Sequence, residues 1–321
     1  MNPERTNKQI HEQRAVIVLQ LGILVAILIG IFSTVFVPTQ SDQIPEVVDL
    51  QSVPLIDTAS DITSTLAAVT VRAESAYVWD VNNQRFLYSK NADEVLPLAS
   101  IAKLMTTLLA HELVTDDTTA RISPAALQQE GSSGFVDGEI FTTEQLRELS
   151  LISSSNDAAF ALAANVGQLL GESDPMSQFI AAMNIRATEL GLDSLEFKNT
   201  TGLDISVSEP SAVGSAKDVS LLLAYMLENY PEIVDPTRQV STRVYNNSGA
   251  FHDISNTNEA VNAIPNLLAS KTGFTDLAGG NLTIAFDAGL NRPIIITVLG
   301  STRNERFTDT LRLTKAIQEN I

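Results

Sequence analysis

The stretch Ser75-Ala76-Tyr77-Val78-Trp79-Asp80-Val81-Asn82-Asn83-Gln84-Arg85-Phe86-Leu87-Tyr88 reads as two strands around a tight turn. Residue types alternate on either side of Asn82-Asn83, whose side chains tolerate a hairpin backbone. Further along, the period changes. Ile101, Leu104, Met105, Leu108 and Leu109 recur at helical spacing after Pro97, and helical signals continue to about residue 230. Among them, Ser173-Asp174-Pro175 supplies a cap ahead of the apolar stripe Phe179, Met183, Ala187 and Leu190, which ends at Gly191. Ser215 to Asp218 resembles a capping box with Asp in the acidic place. The period returns to two in Leu282-Thr283-Ile284-Ala285-Phe286 and Ile294-Ile295-Ile296-Thr297-Val298, and a last helix is expected over about 305–318. Strands near both ends with helices between them predict an α+β fold: an antiparallel sheet built from distant chain segments, flanking helices and a helical insertion. A site is expected in the cleft between the sheet and the helical part.

Composition narrows the chemistry. The chain has 321 residues, 44% of them apolar, enough for a substantial core in one large or two ordinary domains. With 20 Lys and Arg against 38 Asp and Glu it carries −18, which argues against a nucleic-acid partner. The absence of Cys excludes thiol nucleophiles, disulfides, iron–sulfur clusters and Cys-ligated zinc, and three His argue against a His-based metal site. No cofactor is expected. His111-Glu112 fails the H-E-x-x-H pattern at Thr115, and His111 reads as a helix-surface residue. No G-x-S-x-G is present, so a nucleophile needs a base other than His.

Residues 1–14 carry Arg5, Lys8 and Arg14 against Glu4 and Glu12, a net +1 that leaves −19 for the remainder. From Ala15 to Val37 no side chain is ionisable. As a helix this segment would span roughly 34 Å, enough for a hydrocarbon core of about 30 Å. The apolar run is longer than that of a cleaved signal peptide and lacks an A-x-A-like site between Ser33 and Pro45. An uncleaved transmembrane anchor over 15–37 is therefore expected, with 1–14 as a cytoplasmic tail by the positive-inside rule and the rest extracytoplasmic. Residues 38–67, with Pro38, Pro45, Pro54 and several acidic residues, read as an extended linker, and the folded domain is expected over 68–321.

Three short motifs could carry chemistry. Ser100 and Lys103, at i and i+3 where a helix starts, place a hydroxyl and an amine one turn apart on one face. A neutral Lys103 there could take the Ser100 proton, and the helix N-terminus favours an oxyanion beside the Ser100 N–H. Ser154-Ser155-Asn156 falls between helical stretches, where a turn could project a hydroxyl and an amide, although a bare S-x-N also fits an N-cap. Lys271-Thr272-Gly273 opens a late strand-like segment with a cation, a hydroxyl and clearance for a second backbone, although the tripeptide also fits a turn. Two lysines in one partly dry cleft disfavour double protonation, so one pKa is expected to fall toward neutrality.

The three motifs in this order, 54 and 117 residues apart, are specific in combination. The set is that of penicillin-binding proteins and β-lactamases. Over roughly 68–320 the sequence resembles the serine D-Ala-D-Ala carboxypeptidases, the low-molecular-mass penicillin-binding proteins. The likeness extends to Leu87-Tyr88-Ser89-Lys90-Asn91-Ala92-Asp93, Asn156-Asp157-Ala158-Ala159, Phe197-Lys198-Asn199-Thr200-Thr201-Gly202-Leu203-Asp204 and Lys271-Thr272-Gly273-Phe274-Thr275-Asp276.

The resemblance implies Ser100 as acyl-enzyme nucleophile, Lys103 as its base, Ser154 as proton relay and Asn156 as a contact to the substrate amide. Lys271 and Thr272, with Gly273 beside them, would hold the terminal carboxylate, Lys271 remaining cationic. Phe274 would give the second oxyanion N–H. Arg306 resembles the family's carboxylate-binding Arg, with Arg303 the alternative. The implied substrate is the peptidoglycan D-Ala-D-Ala stem peptide, with β-lactams as acylating inhibitors. Removal of the terminal D-Ala is the expected reaction. Cleavage of peptide cross-links uses the same residues, and a β-lactamase or a non-catalytic wall-binding protein are further alternatives. About twenty residues follow the last strand, so neither the all-β C-terminal domain of larger members nor a C-terminal amphipathic anchor is expected. The usual His before the family's Ser-Thr-Ala-x-Asp stretch is not evident ahead of Gly214-Ser215-Ala216-Lys217-Asp218. Oligomeric state is left open.

Overall fold

In the computed structural model, which describes residues 65–171 and 173–320, the alternating stretch forms strands β1 (Ser75–Asp80) and β2 (Arg85–Lys90). They pair antiparallel, Tyr77 opposite Ser89. The short strand β3 (Leu96–Pro97) and a 3₁₀ turn, Ala99–Ala102, lead into helix α1 (Lys103–Leu113). Strands β4 (Thr119–Arg121) and β5 (Ile140–Thr142) precede α2 (Thr143–Ile152), α3 (Asn156–Val166) and α4 (Pro175–Glu189). Strands β6 (Glu196–Phe197) and β7 (Ala212–Gly214) join β3 in a small sheet. Next come α5 (Ala216–Asn229), the single turn α6 (Pro231–Val234) and the hairpin β8 (Ser241–Tyr245) and β9 (Phe251–Ser255). Strands β10 (Leu267–Thr275), β11 (Gly279–Asp287) and β12 (Pro293–Ser301) precede α7 (Glu305–Gln318).

The main sheet runs β10-β11-β12-β1-β2, antiparallel throughout. Val78 of β1 lies opposite Ile296 of β12, so the early hairpin is stitched onto strands from the other end of the chain. Both faces are covered. Ala76, Val78, Leu282, Ile284 and Ile296 form one apolar cluster with Phe307, Leu313 and Ile317 of α7. Tyr77, Ala285, Ile295 and Leu299 belong to a second cluster that includes the helical insertion. Each such Leu or Ile is worth about 1.5–3 kcal/mol when buried. Burial on both faces explains why β12 reads Ile294-Ile295-Ile296 rather than apolar–polar. Thr297, within that run, hydrogen-bonds Thr283 at 2.8 Å and accepts from Ser220 of α5 at 2.7 Å.

Three local readings change. Leu66, assigned to the linker, is fully buried in the α7-side cluster, because its apolar side chain gains more there than in water. His111 is a tie rather than a surface residue: Nδ1 lies 3.2 Å from Asp116, Nε2 3.2 Å from Glu232, and its ring meets Tyr230 edge-on. Ser215 caps α5 by accepting from Asp218 N, but the Asp218 carboxylate accepts from Ser194 N and Oγ instead of returning to the cap, so the box is half formed. The complete box is Thr142 with Gln145 at the start of α2, a T-x-x-Q signal that sequence reasoning passed over. Among the described residues no helix is long and apolar enough to cross a membrane. The expected tail, the anchor at 15–37 and residues 38–64 of the linker lie outside the described residues.

Candidate active site

Ser100 sits on the 3₁₀ turn rather than on the helix proper, and Lys103 is the first residue of α1. The turn is held from three sides. Leu98 N donates to Ala212 O of β7 at 2.9 Å. Asn281 of β11, fully buried, donates to Pro97 O at 2.9 Å and Leu98 O at 3.1 Å while its Oδ1 accepts from Gly300 N. Ala99, immediately before Ser100, is left-handed at φ 50°, a conformation that costs a non-glycine residue about 1–2 kcal/mol. Gly202, at φ 81°, presses its backbone against the Ala99 carbonyl, where any Cβ would collide.

Lys103 is fully buried, and its Nζ lies 2.8 Å from Ser100 Oγ, 2.7 Å from Asn156 Oδ1 and 2.7 Å from Thr201 O. Burial pushes its pKa down to about 7. Thr201 O can only accept. Asn156 is oriented by its Nδ2, which donates to Glu130 O at 2.7 Å, so its Oδ1 also faces Lys103 as an acceptor. A neutral Lys103 must spend its two N–H groups on these two oxygens. Its lone pair is then left for the Ser100 hydroxyl, the orientation a general base requires.

The turn between α2 and α3 supplies the second half of the site. Ser155 caps α3 by accepting from Ala158 N, and Asn156 is the first residue of that helix. Ser154, left-handed at φ 59°, accepts from Lys271 Nζ at 2.8 Å. The S-x-N pair is thus divided between the two lysines, hydroxyl to Lys271 and amide to Lys103.

Lys271, Thr272 and Gly273 lie in the middle of β10, not at its start as the sequence reading had it. Lys271 Nζ also donates to Thr272 O at 2.8 Å, and Thr272 Oγ1 meets Thr257 Oγ1. Gly273 lets the strand lie flush on the nucleophile turn: a Cβ there would stand 2.6 Å from Leu98 O. That brings Phe274 past the same turn as Ser100.

The expectation that one lysine is displaced, with Lys271 left cationic, is corrected. Both are fully buried, and Lys271 is pushed well below the ordinary lysine range by burial first, then by Lys103 and Arg306. An anion beside Lys271 would restore its charge. Arg306 is buried, donates from Nη1 to Gly273 O at 2.7 Å, and is lowered to about 10 by burial and then by Arg303. Arg303 is exposed, its guanidinium 4.0 Å above the Phe274 ring. The structure therefore brings all nine candidate residues together, with Arg306 bracing β10 from behind.

Sequence reasoning gave no role to three residues of this site. Thr201 supplies a carbonyl to Lys103. Asn199 shapes the loop that presents it, its Oδ1 accepting from Thr201 N, Gly202 N and Ser211 Oγ. Asn281 clamps the nucleophile turn. The first two lie in the Phe197 to Asp204 stretch already quoted for its family likeness, whereas a lone Asn in a strand carries no local signal.

An antiparallel sheet flanked by helices, with a Ser–Lys pair on one edge and a Lys-Thr-Gly strand facing it, defines a serine peptidase of the penicillin-binding type. Residues 62–303 match the family model described as D-alanyl-D-alanine carboxypeptidase, and the chain belongs to that family. It is 31% identical over 240 residues to D-alanyl-D-alanine carboxypeptidase DacF of Bacillus subtilis, covering 73% of this chain and 59% of that protein. It is 31% identical over 258 residues to a D-alanyl-D-alanine endopeptidase of Pseudomonas aeruginosa, covering 76% of each. Among solved structures it is similar to penicillin-binding protein D2 from Listeria monocytogenes in an ampicillin-bound form. The TM-score is 0.64 at 29% identity, covering 78% of this chain and 98% of the other.

Proposed function

We propose that the chain is a serine DD-peptidase that removes the terminal D-Ala from peptidoglycan stem peptides. Ser100 Oγ attacks the carbonyl of the penultimate D-Ala and passes its proton to Lys103. The N–H groups of Ser100 and Phe274 stabilise the oxyanion, and Lys271 with Thr272 holds the terminal carboxylate. Collapse of the tetrahedral intermediate expels D-Ala, whose amine takes a proton through Ser154. Water then hydrolyses the Ser100 ester. The observation that carries this reading is Lys103: fully buried, near pKa 7, with both acceptor-only partners arranged so that its lone pair meets Ser100.

Cleavage of peptide cross-links by the same residues is a second reading. It is favoured by the endopeptidase relative, of whose length the chain covers 76%, against 59% of the carboxypeptidase relative. By likeness to the ampicillin-bound protein, β-lactams would acylate Ser100. Residues 15–37 would anchor the domain to the cell membrane with 1–14 cytoplasmic, a proposal resting on sequence alone.

Incubating the full-length chain and its Ser100→Ala variant with defined muropeptides, followed by mass spectrometry, tests the reaction. Loss of one D-Ala supports the carboxypeptidase and halving of dimers the endopeptidase. Rapid penicillin turnover would point to a lactamase, and labelling without any product to a binding role. Full activity in the Ser100→Ala variant would sink the mechanism.

A further inference from the structure

Three consecutive residues at the start of α3 hold the same piece of chain. Ser155 Oγ lies 2.6 Å from Ser133 Oγ, Asn156 Nδ2 donates to Glu130 O at 2.7 Å, and the Asp157 carboxylate accepts from Ser133 N at 3.0 Å. Among the described residues, every hydrogen bond that leaves segment 130–134 ends on one of these three. Gly131 and Gly134, left-handed at φ 83° and 77°, bracket Ser132-Ser133, so the backbone alone does little to fix the segment. The rear of the loop is fastened separately. Glu139 accepts from Val136 N and Asn246 Nδ2 and lies 3.0 Å from His252 Nε2, and the Phe135 ring meets His252 edge-on.

Asp157 is 1% exposed, and its Oδ1 is buried with no hydrogen-bond partner. Burial raises its pKa in spite of the bond from Ser133. A carboxylate in the first turn of a helix is favoured by the helix dipole, but an exposed one gains that without being desolvated. An apolar side chain would fill the place with no orphaned oxygen. What the carboxylate supplies, and an apolar group could not, is an acceptor for Ser133 N. Three residues before Ser133, Glu130 O is the acceptor that sets Asn156. With Nδ2 engaged there, Oδ1 faces Lys103.

Resting on the DD-peptidase reading, we propose that Asp157 is a positioning residue: by fixing the Ser133 N–H it holds the Glu130 carbonyl on Asn156 and so keeps the Asn156 oxygen turned to Lys103. Released from Ser133 N, segment 130–134 would let the Asn156 amide turn away or present its NH₂ group to Lys103, where a donor competes with the Ser100 hydroxyl for the lone pair. Lys103 is otherwise faced by Lys271 of β10, which with Arg306 of α7 completes a cationic group that takes no bond from segment 130–134. Burial is what displaces Lys103, so loss of the Asp157 charge by itself leaves that lysine as it is.

The test follows the rate at which a fluorescent penicillin labels Ser100 in the full-length chain from about pH 5 to about pH 9. Asp157→Leu should label about tenfold or more slowly, since a misplacement of about 1 Å can cost about 10²-fold. Its acid limb should lie about one pH unit below that of the wild type, because an ammonium at Lys103 loses the Asn156 oxygen and the neutral form persists to lower pH. Asp157→Asn keeps an oxygen for Ser133 N, its amide nitrogen replacing an oxygen that has no partner, and should restore the wild-type limb and a rate within about threefold. Ser133→Pro removes the N–H from the other side without touching Asp157 and should reproduce the shifted limb, even where Asp157→Leu folds poorly. An unshifted limb in Ser133→Pro and in folded Asp157→Leu would overturn the inference whatever the rates, since the clasp would then be structural only. So would equal losses in Asp157→Leu and Asp157→Asn, because the charge and not the bond would matter. Labelling that persists in Ser100→Ala would overturn the reading of the site on which the inference rests.

Discussion

Lys271 Nζ lies 2.8 Å from Ser154 Oγ, which ties the inter-helix turn to the sheet edge across the candidate site. Because Asn156, two residues on, bonds Lys103 instead, one short turn reports to both lysines. On the proposed mechanism Ser154, its hydroxyl held by Lys271, relays to the leaving amine the proton that Lys103 took from Ser100, which leaves Lys103 neutral again for deacylation. Ser154→Ala should lower kcat on a peptide substrate by about 10²–10⁴-fold, the usual range for a lost proton-transfer group. Penicillin acylation of Ser100 also breaks a carbonyl–nitrogen bond, and the opened ring nitrogen needs a proton in the same place, so it should fall as well. Undiminished rates in both assays would remove the relay role.

The acid limb of activity should report Lys103. Its pKa near 7 means that the neutral, basic form is lost as pH falls through that value, so kcat/KM should drop about tenfold per pH unit below it. The same shift has a stability sign. In the unfolded chain a lysine titrates near about 10.4, so between roughly 7 and 10 the unfolded state binds more protons and stability from this residue rises with pH. Below pH 7 the folded protein carries the full cost of a buried cation. Lys103→Met takes up no proton, so its melting temperature relative to wild type should be higher at pH 6 than at pH 9. An identical difference at both pH values would show that Lys103 is not displaced.

What was legible in the sequence had local period or local chemistry. The hairpin at 75–90, the helix behind Ser100 and the helix ending at Gln318 all follow from spacing, because each buries a face through neighbours close in sequence. The motif spacing brought Ser100, Ser154 and Lys271 into one frame, but not the division of Ser154 and Asn156 between two lysines, which depends on the left-handed backbone at Ser154. Lys271 could be placed in a strand but not at its centre, since Leu267-Leu268-Ala269-Ser270 has no period that marks where β10 begins. The fall of both lysine pKa values was likewise hidden, because burial belongs to the assembled fold.

Gly273 tests how closely the strand must approach the nucleophile. A methyl group there would stand 2.6 Å from Leu98 O and 3.3 Å from Ala99 Cβ, so Gly273→Ala must push β10 away from the turn. The Phe274 N–H would move with it, and loss of one oxyanion donor costs about 10²–10³-fold. Penicillin acylation should fall by that order while the circular dichroism spectrum is retained. Acylation within threefold of wild type would mean that the turn yields and the strand position is not critical.

Asn281 makes the strongest case for a positioning residue outside the motifs. It is fully buried, and both ends of its amide are used, two donors on the carbonyls of Pro97 and Leu98 and one acceptor for Gly300 N. Asn281→Ala removes three hydrogen bonds; Leu98 O keeps the one from Ile101 N at 3.3 Å, and each buried group left unsatisfied costs about 1–3 kcal/mol. The fold should therefore lose several degrees of melting temperature. The Pro97 and Leu98 carbonyls flank the start of the 3₁₀ turn, so Ser100 should also lose its fixed aim, and penicillin acylation should fall even at temperatures where the variant is fully folded. Asn281→Asp can still accept from Gly300 N but sets a carboxylate against the Pro97 and Leu98 carbonyls, so it should lower both stability and acylation. A variant that melts earlier but acylates normally when folded would reduce Asn281 to a stability role.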